Sequence, residues 1–134
     1  MRKKEIAQIF GNSLDKDDYS TTRKLLENNC KYFIGNEVII GPENITNSYK
    51  KNMIEGRKKL DKLEWEESKI EELSPNEFYI HFTDFLTHKK KKYIHRCKQK
   101  ITIGLSNKIV QIVHIDDPKE QERLNRFYKS VGLR

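Results

Sequence analysis

Between residues 91 and 104, every second side chain can face one shared interior. Tyr93, His95, Cys97, Gln99, Ile101 and Ile103 alternate with Ile94, Arg96, Lys98, Lys100 and Thr102, which are mostly charged. A two-residue period of this kind calls for a β-strand with one wet face and one hidden face. The hidden face is apolar at one end and carries imidazole, thiol and amide groups at the other. Burying such groups costs free energy unless something bonds them. A ligand pocket is one reason to place them inside.

The preceding segment fixes the pairing. If Lys89 and Lys90 form a two-residue turn, Leu86 faces Tyr93, Asp84 faces His95, Phe82 faces Cys97 and Ile80 faces Gln99. Phe78, Ile80, Phe82 and Leu86 then share a side with Ile101 and Ile103. A slip of one residue would turn one of these apolar sets outward, so the spacing favours a loop of even length.

The chain has 134 residues, which suits one domain. Only 35% of residues are hydrophobic, but six Phe, six Tyr and one Trp supply bulk for a single core. No apolar run approaches the roughly 20 residues of a membrane span. The basic start, Met1 to Glu5, is followed by no leader-like apolar segment, so no membrane partner and a cytoplasmic location are expected. Cys30 and Cys97 lack metal-type spacing and are expected to stay thiols; no metal and no cofactor is expected. The net charge of +7 raises the question of nucleic acid. The basic residues are spread out and interleaved with Glu, and the densest run, Lys89 to Lys92, falls on a hairpin tip. Lysines there serve as a solvated turn or an edge guard, so nucleic acid is not an expected partner.

Helical spacing of Ile6, Ile9, Phe10 and Leu14 predicts a helix over 5–14. Asp15 to Asp18 breaks it and offers caps for a short helix over 19–26. Two short strands follow at 30–34 and 37–40 around Gly35-Asn36. Gly41-Pro42-Glu43 opens a third helix with an inward stripe of Ile45, Tyr49, Met53 and Ile54. Strands are expected at 62–72, 77–88, 91–104 and 108–116, with a bulge near Glu66-Glu67 where alternation is confused. Pro118 starts a last helix, lined on one side by Leu124, Phe127, Tyr128 and Val131.

This order, and the stretches "LDKDDYSTTRKLLENNCKYF", "GPENITNSY" and "NKIVQIVHIDD", resembles the nuclear transport factor two-like superfamily, in its SnoaL-like branch. The resemblance implies an α+β, cystatin-like fold: a bent antiparallel or mixed sheet wrapped as a cone around the long helix. The cone domain would span 1–117, with 118–134 a C-terminal helical extension of the same domain, capping the pocket mouth or docking on a partner subunit. The resemblance also implies that Val110, Ile112, His114 and Asp116 face inward. At positions matching the ketosteroid isomerase catalytic set, this chain carries Ile34, Phe10 and Gln99, so neither the base nor the tyrosine donor remains. The Asp-Arg-Asp set of the related epoxide hydrolases is not apparent, since Arg96 points outward.

The fold alone does not choose among enzyme, binder and interaction module. The expected ligand-binding wall is Tyr49, Trp65, Phe82, Asp84, His95, Cys97 and Ile112. Asp84 and His95 read as a carboxylate–imidazole pair, either a general base with its orienter or a hydrogen bond at the rim. His114 reads either as a proton-transfer residue or as a core histidine bonded to Gln99. Cys97 reads as inert packing or as a nucleophile. The leading expectation is a small, largely apolar ligand held in the cone. The alternatives are an isomerase- or cyclase-type enzyme, with His114 moving the proton, Asp116 orienting it and Gln99 donating to the oxyanion, and an interaction or dimerisation module with a filled core. Tyr79 and Phe85 on the convex face suggest a homodimer.

Overall fold

The computed structural model describes all 134 residues. Helix α1 (Lys3–Asp15) and the short α2 (Tyr19–Lys24) lead into β1 (Leu26–Ile34) and β2 (Glu37–Ile40). Helix α3 (Pro42–Lys59) follows, then β3 (Lys62–Trp65), β4 (Lys69–Ser74), β5 (Glu77–His88), β6 (Lys91–Ile103), β7 (Ile109–His114) and α4 (Pro118–Ser130). The strands form one curved sheet in the order β2-β1-β7-β6-β5-β3, with β4 also on β5. Only the β1–β7 pair is parallel. It is an α+β cone: the curved sheet packs on α3 through β1, β2 and β3, α1 lies on β4 and β5, and α4 on β6.

The hairpin arithmetic holds. Leu86 pairs with Tyr93, Asp84 with His95, Phe82 with Cys97 and Ile80 with Gln99. Lys89 and Lys90 both have positive φ, 49° and 69°. That is the type I′ geometry, whose twist matches that of the flanking strands.

Four expectations shift. Strand β1 begins at Leu26, four residues earlier than its apolar run implied, because Leu26 reaches β7 opposite Ile109. The strand expected at 62–72 is two strands along one edge. Trp65 pairs with Asp84 and Lys69 with His81, so four residues on the edge span three on β5. The extra residue is the bulge foreseen at Glu66-Glu67, and it lets the edge follow the bend. A second bulge falls at Val110, since Gln111 pairs with Thr102 but Ile109 with Ile103. Ile109 therefore enters the core in place of Val110, which packs on Gly104; a Cβ on that glycine would lie 2.8 Å from Val110 Cγ1. Finally, Ile54 is exposed, and α3 instead turns Gly56 toward β3.

Two apolar clusters result. The larger joins α1, β1, α3 and the meander through residues such as Phe10, Tyr32, Ile45, Phe78, Ile101 and Ile112. The smaller joins Leu60 and Leu86 to Phe127 and Val131 of α4. No helix is long and apolar enough to cross a membrane.

Candidate functional site

Between the two clusters lies a cavity of about 300 Å³. Its walls are mostly apolar, so the interior is not a filled core. Tyr49 and Met53 reach it from α3, Ile34 from β1, and Leu63 and Trp65 from β3. Phe82 and Asp84 come from β5; His95, Cys97 and Gln99 from β6; His114 from β7; Leu124 and Tyr128 from α4. The alternation of β6 thus delivers its polar residues to one space.

Gln99 organises one side of this space. It is buried at 5% exposure, opposite His114 in the sheet. Its Oε1 accepts a hydrogen bond from Tyr49 Oη at 2.5 Å, and its Nε2 donates to Tyr32 Oη at 2.8 Å. The Tyr32 and Tyr49 rings stack at 5.2 Å. Nε2 also approaches His114 Nδ1 at 3.4 Å, a loose contact. Burial lowers the His114 pKa, against the opposing pull of Asp116, so the ring is neutral at pH 7. Burial pushes Tyr32 up to about 12 and raises Tyr49 well above the usual phenol range, so both hydroxyls keep their protons.

On the other side, the expected Asp84–His95 hydrogen bond does not form. The two are register partners, but His95 Nδ1 instead bonds Glu120 Oε2 of α4 at 3.0 Å. Tyr93 Oη donates to the same carboxylate, and Arg123 reaches its other oxygen at 3.1 Å. Burial works against the Glu120 charge, yet these three partners hold its pKa below the usual range. Asp84 is left with no donor. Burial raises it to about 6, the neighbouring His95 draws it down, and Asp15 adds to the rise. Asp15 itself accepts from Ser68 N and Oγ, both at 2.8 Å, while its backbone oxygen accepts from Trp65 Nε1 at 2.7 Å.

Most of the expected wall is brought together: Tyr49, Trp65, Phe82, Asp84, His95, Cys97, Gln99 and His114 all line the cavity. Two residues are not. Ile112 is fully buried behind the wall, in the core cluster. Asp116 follows the end of β7 and is exposed, in a neighbouring depression that it shares with His95, Cys97 and His114. The pattern implied by the resemblance ran two residues past the strand that supports it. Cys97 is held as a thiol, since burial pushes it up to about 12. Tyr79 and Phe85 are half-buried rather than freely exposed, and Lys98 Nζ lies 4.3 Å over the Tyr79 ring. Sequence reasoning missed Tyr32 as a site residue and Glu120 altogether. A glutamate on a charged helix reads as solvated, and nothing local marks it as buried.

No family model and no curated protein matches the sequence. Solved structures do match in shape. A candidate SnoaL-like polyketide cyclase from Shewanella denitrificans superposes with a TM-score of 0.67 at 10% identity, over 93% of this chain and 97% of that one. A candidate polyketide cyclase from Xanthomonas campestris gives 0.68 at 7% identity, over 90% and 93%. A nuclear transport factor two-like protein of unknown function from Cytophaga hutchinsonii gives 0.61 at 13%, over 91% and 96%. The chain has the nuclear transport factor two-like fold. SnoaL-like proteins stand among its structural neighbours, which is the branch its sequence resembles.

Proposed function

We propose that this protein binds a small, largely apolar molecule inside the cone. The carrying observation is the cavity itself: about 300 Å³ left open between two apolar clusters, with ordered polar side chains at its wall. A core without a ligand role gains by closing such a space, because voids forfeit contacts. Gln99, fixed by two tyrosines, can orient a polar group on an otherwise apolar guest. The test is fluorescence of N-phenyl-1-naphthylamine, a neutral apolar probe. The wild type should bind it, and Phe82→Trp, which fills the cavity, should not. A folded wild type that gives no signal would refute the reading.

A second reading, proton transfer on a bound carbonyl compound, is supported by two groups poised for exchange: the neutral His114 and the raised Asp84. His114 would move the proton and Gln99 would donate to the developing oxyanion. Asp116, though exposed, would act on the His114 ring through its charge. Loss of turnover with retained binding in His114→Ala separates enzyme from binder.

For the convex face, pairing of two copies is supported by the outward register pair Phe85 and Ile94, the latter 44% exposed.

A further inference from the structure

The cavity is lined by three acidic residues, Asp15, Glu66 and Asp84, and by no lysine or arginine. This holds in a chain whose net charge is +7. The cationic surplus has been kept off the one interior surface. The three acids differ in what they have left to offer. The Asp15 carboxylate is occupied by Ser68. Glu66 is exposed at the edge bulge. Asp84 lines the cavity with no protein donor, because the imidazole opposite it has turned to Glu120.

Aromatic rings surround that carboxylate. Trp65 is its register partner on β3, Phe82 lies two residues back on β5, and Tyr128 faces it from α4. Rings of this kind attract cations through their faces. Two of them already do so: Arg57 lies 5.2 Å over Trp65, and Lys59 at 4.3 Å and Arg134 at 4.8 Å lie over Tyr128, although none of these cations lines the cavity. An unpaired carboxylate in a low-dielectric site is costly until a counter-ion arrives.

We propose that the cone takes a small hydrophobic amine in its ammonium form, with the Asp84 carboxylate as counter-ion and Trp65, Phe82 and Tyr128 around the charge. This rests on the cone being a ligand site and names the class of ligand. His95, the cross-strand partner of Asp84, lies four residues from Gln99 along β6, roughly 13 Å at a strand rise of about 3.3 Å per residue. The ammonium therefore sits toward the α4 end, and an aryl or short alkyl body extends toward Gln99.

The groups facing Asp84 are His95 and Cys97 from β6, Asp15 from the end of α1 and Tyr128 from α4, with Glu120 behind His95. Cys97 and Tyr128 keep their protons below pH 8, since burial raises both, so neither shapes the profile there. Asp84 is ionised at neutral pH and loses its charge toward pH 5. Amine binding should weaken over that interval, while a neutral analogue should be indifferent to it.

The experiment is calorimetric titration of the full chain with 4-phenylbutylamine, 4-phenylbutan-1-ol and 4-phenylbutanoate. At about pH 7.5 the amine should bind at least about tenfold more tightly than the alcohol, and it should lose about tenfold by about pH 5.0, as expected for ionisation near 6. Asp84→Asn should remove both effects, and Glu37→Gln, an exposed site on β2 away from the cavity, should preserve them. The wild-type pH profile is informative even if Asp84→Asn folds poorly. Alcohol or carboxylate binding that equals the amine, and that disappears in Phe82→Trp, overturns the amine assignment and leaves the cone as a ligand site. An amine preference unchanged in Asp84→Asn also overturns it. Failure of all three compounds to bind overturns both readings.

Discussion

Three side chains show what the site costs and what holds it. Asp84 carries a folded-state pKa near 6, above the ordinary carboxyl value of 3.8. The native state therefore binds the proton more tightly than the unfolded state, and stability falls as pH rises from about 4 to about 6. Asp84→Asn should be more stable than the wild type at neutral pH by on the order of 1–3 kcal/mol, with the gap closing toward pH 4. Urea unfolding at several pH values reads this directly; a wild type that is equally stable or better at pH 7 would contradict it. His114 has the opposite sign. Its lowered pKa means that stability is lost as pH falls below the ordinary imidazole value of 6.5. Gln99→Leu should cost about 1–3 kcal/mol, because Tyr32 and Tyr49 lose their partner inside the protein. Of these residues, the sequence exposes Gln99, His95 and Cys97 plainly, through their alternation with Arg96 and Lys98. It does not show that His95 prefers Glu120 to Asp84, since that choice depends on where a helix 25 residues later comes to rest.

Among the elements, the β5–β6 hairpin was legible because two independent alternations had to agree on one face. Only a loop of even length satisfies both, and the structure makes it a two-residue turn. Its tip still pays strain: Lys89 and Lys90 hold the left-handed backbone that Asn and Gly adopt at little cost. Replacing Lys89-Lys90 with Asn-Gly should raise stability by about 0.5–1 kcal/mol without altering the site, as thermal unfolding can show. The bulge at Val110 was not legible, since Val110, Ile112 and His114 alternate without fault and one inserted residue leaves no trace in the pattern. The end of β7 was hidden for the same reason, which is why Asp116 falls outside. Helix α4 was foreseen as an amphipathic element, but its anchoring residue was not. Glu120→Ala should free His95, Tyr93 and Arg123 together and loosen α4, visible as faster amide exchange over 118–131 with β5 and β6 unchanged.

For the molecule as a whole, the helices and strands leave a cavity on one side of the sheet and an exposed Ile94 on the other. Pairing through that face should appear as a dimer mass in light scattering, and Ile94→Lys should shift it toward the monomer; a monomer at high concentration counts against it. The division into two apolar clusters has a consequence for timing. Leu60, Leu86, Phe127 and Val131 form a patch of their own, so a local opening of α4 would leave the larger cluster intact. Entry and exit then need no global unfolding. The guest's residence time would be set by how often this small clasp springs open, and an occupied cone, by bridging the clasp to the body, would keep its own door shut.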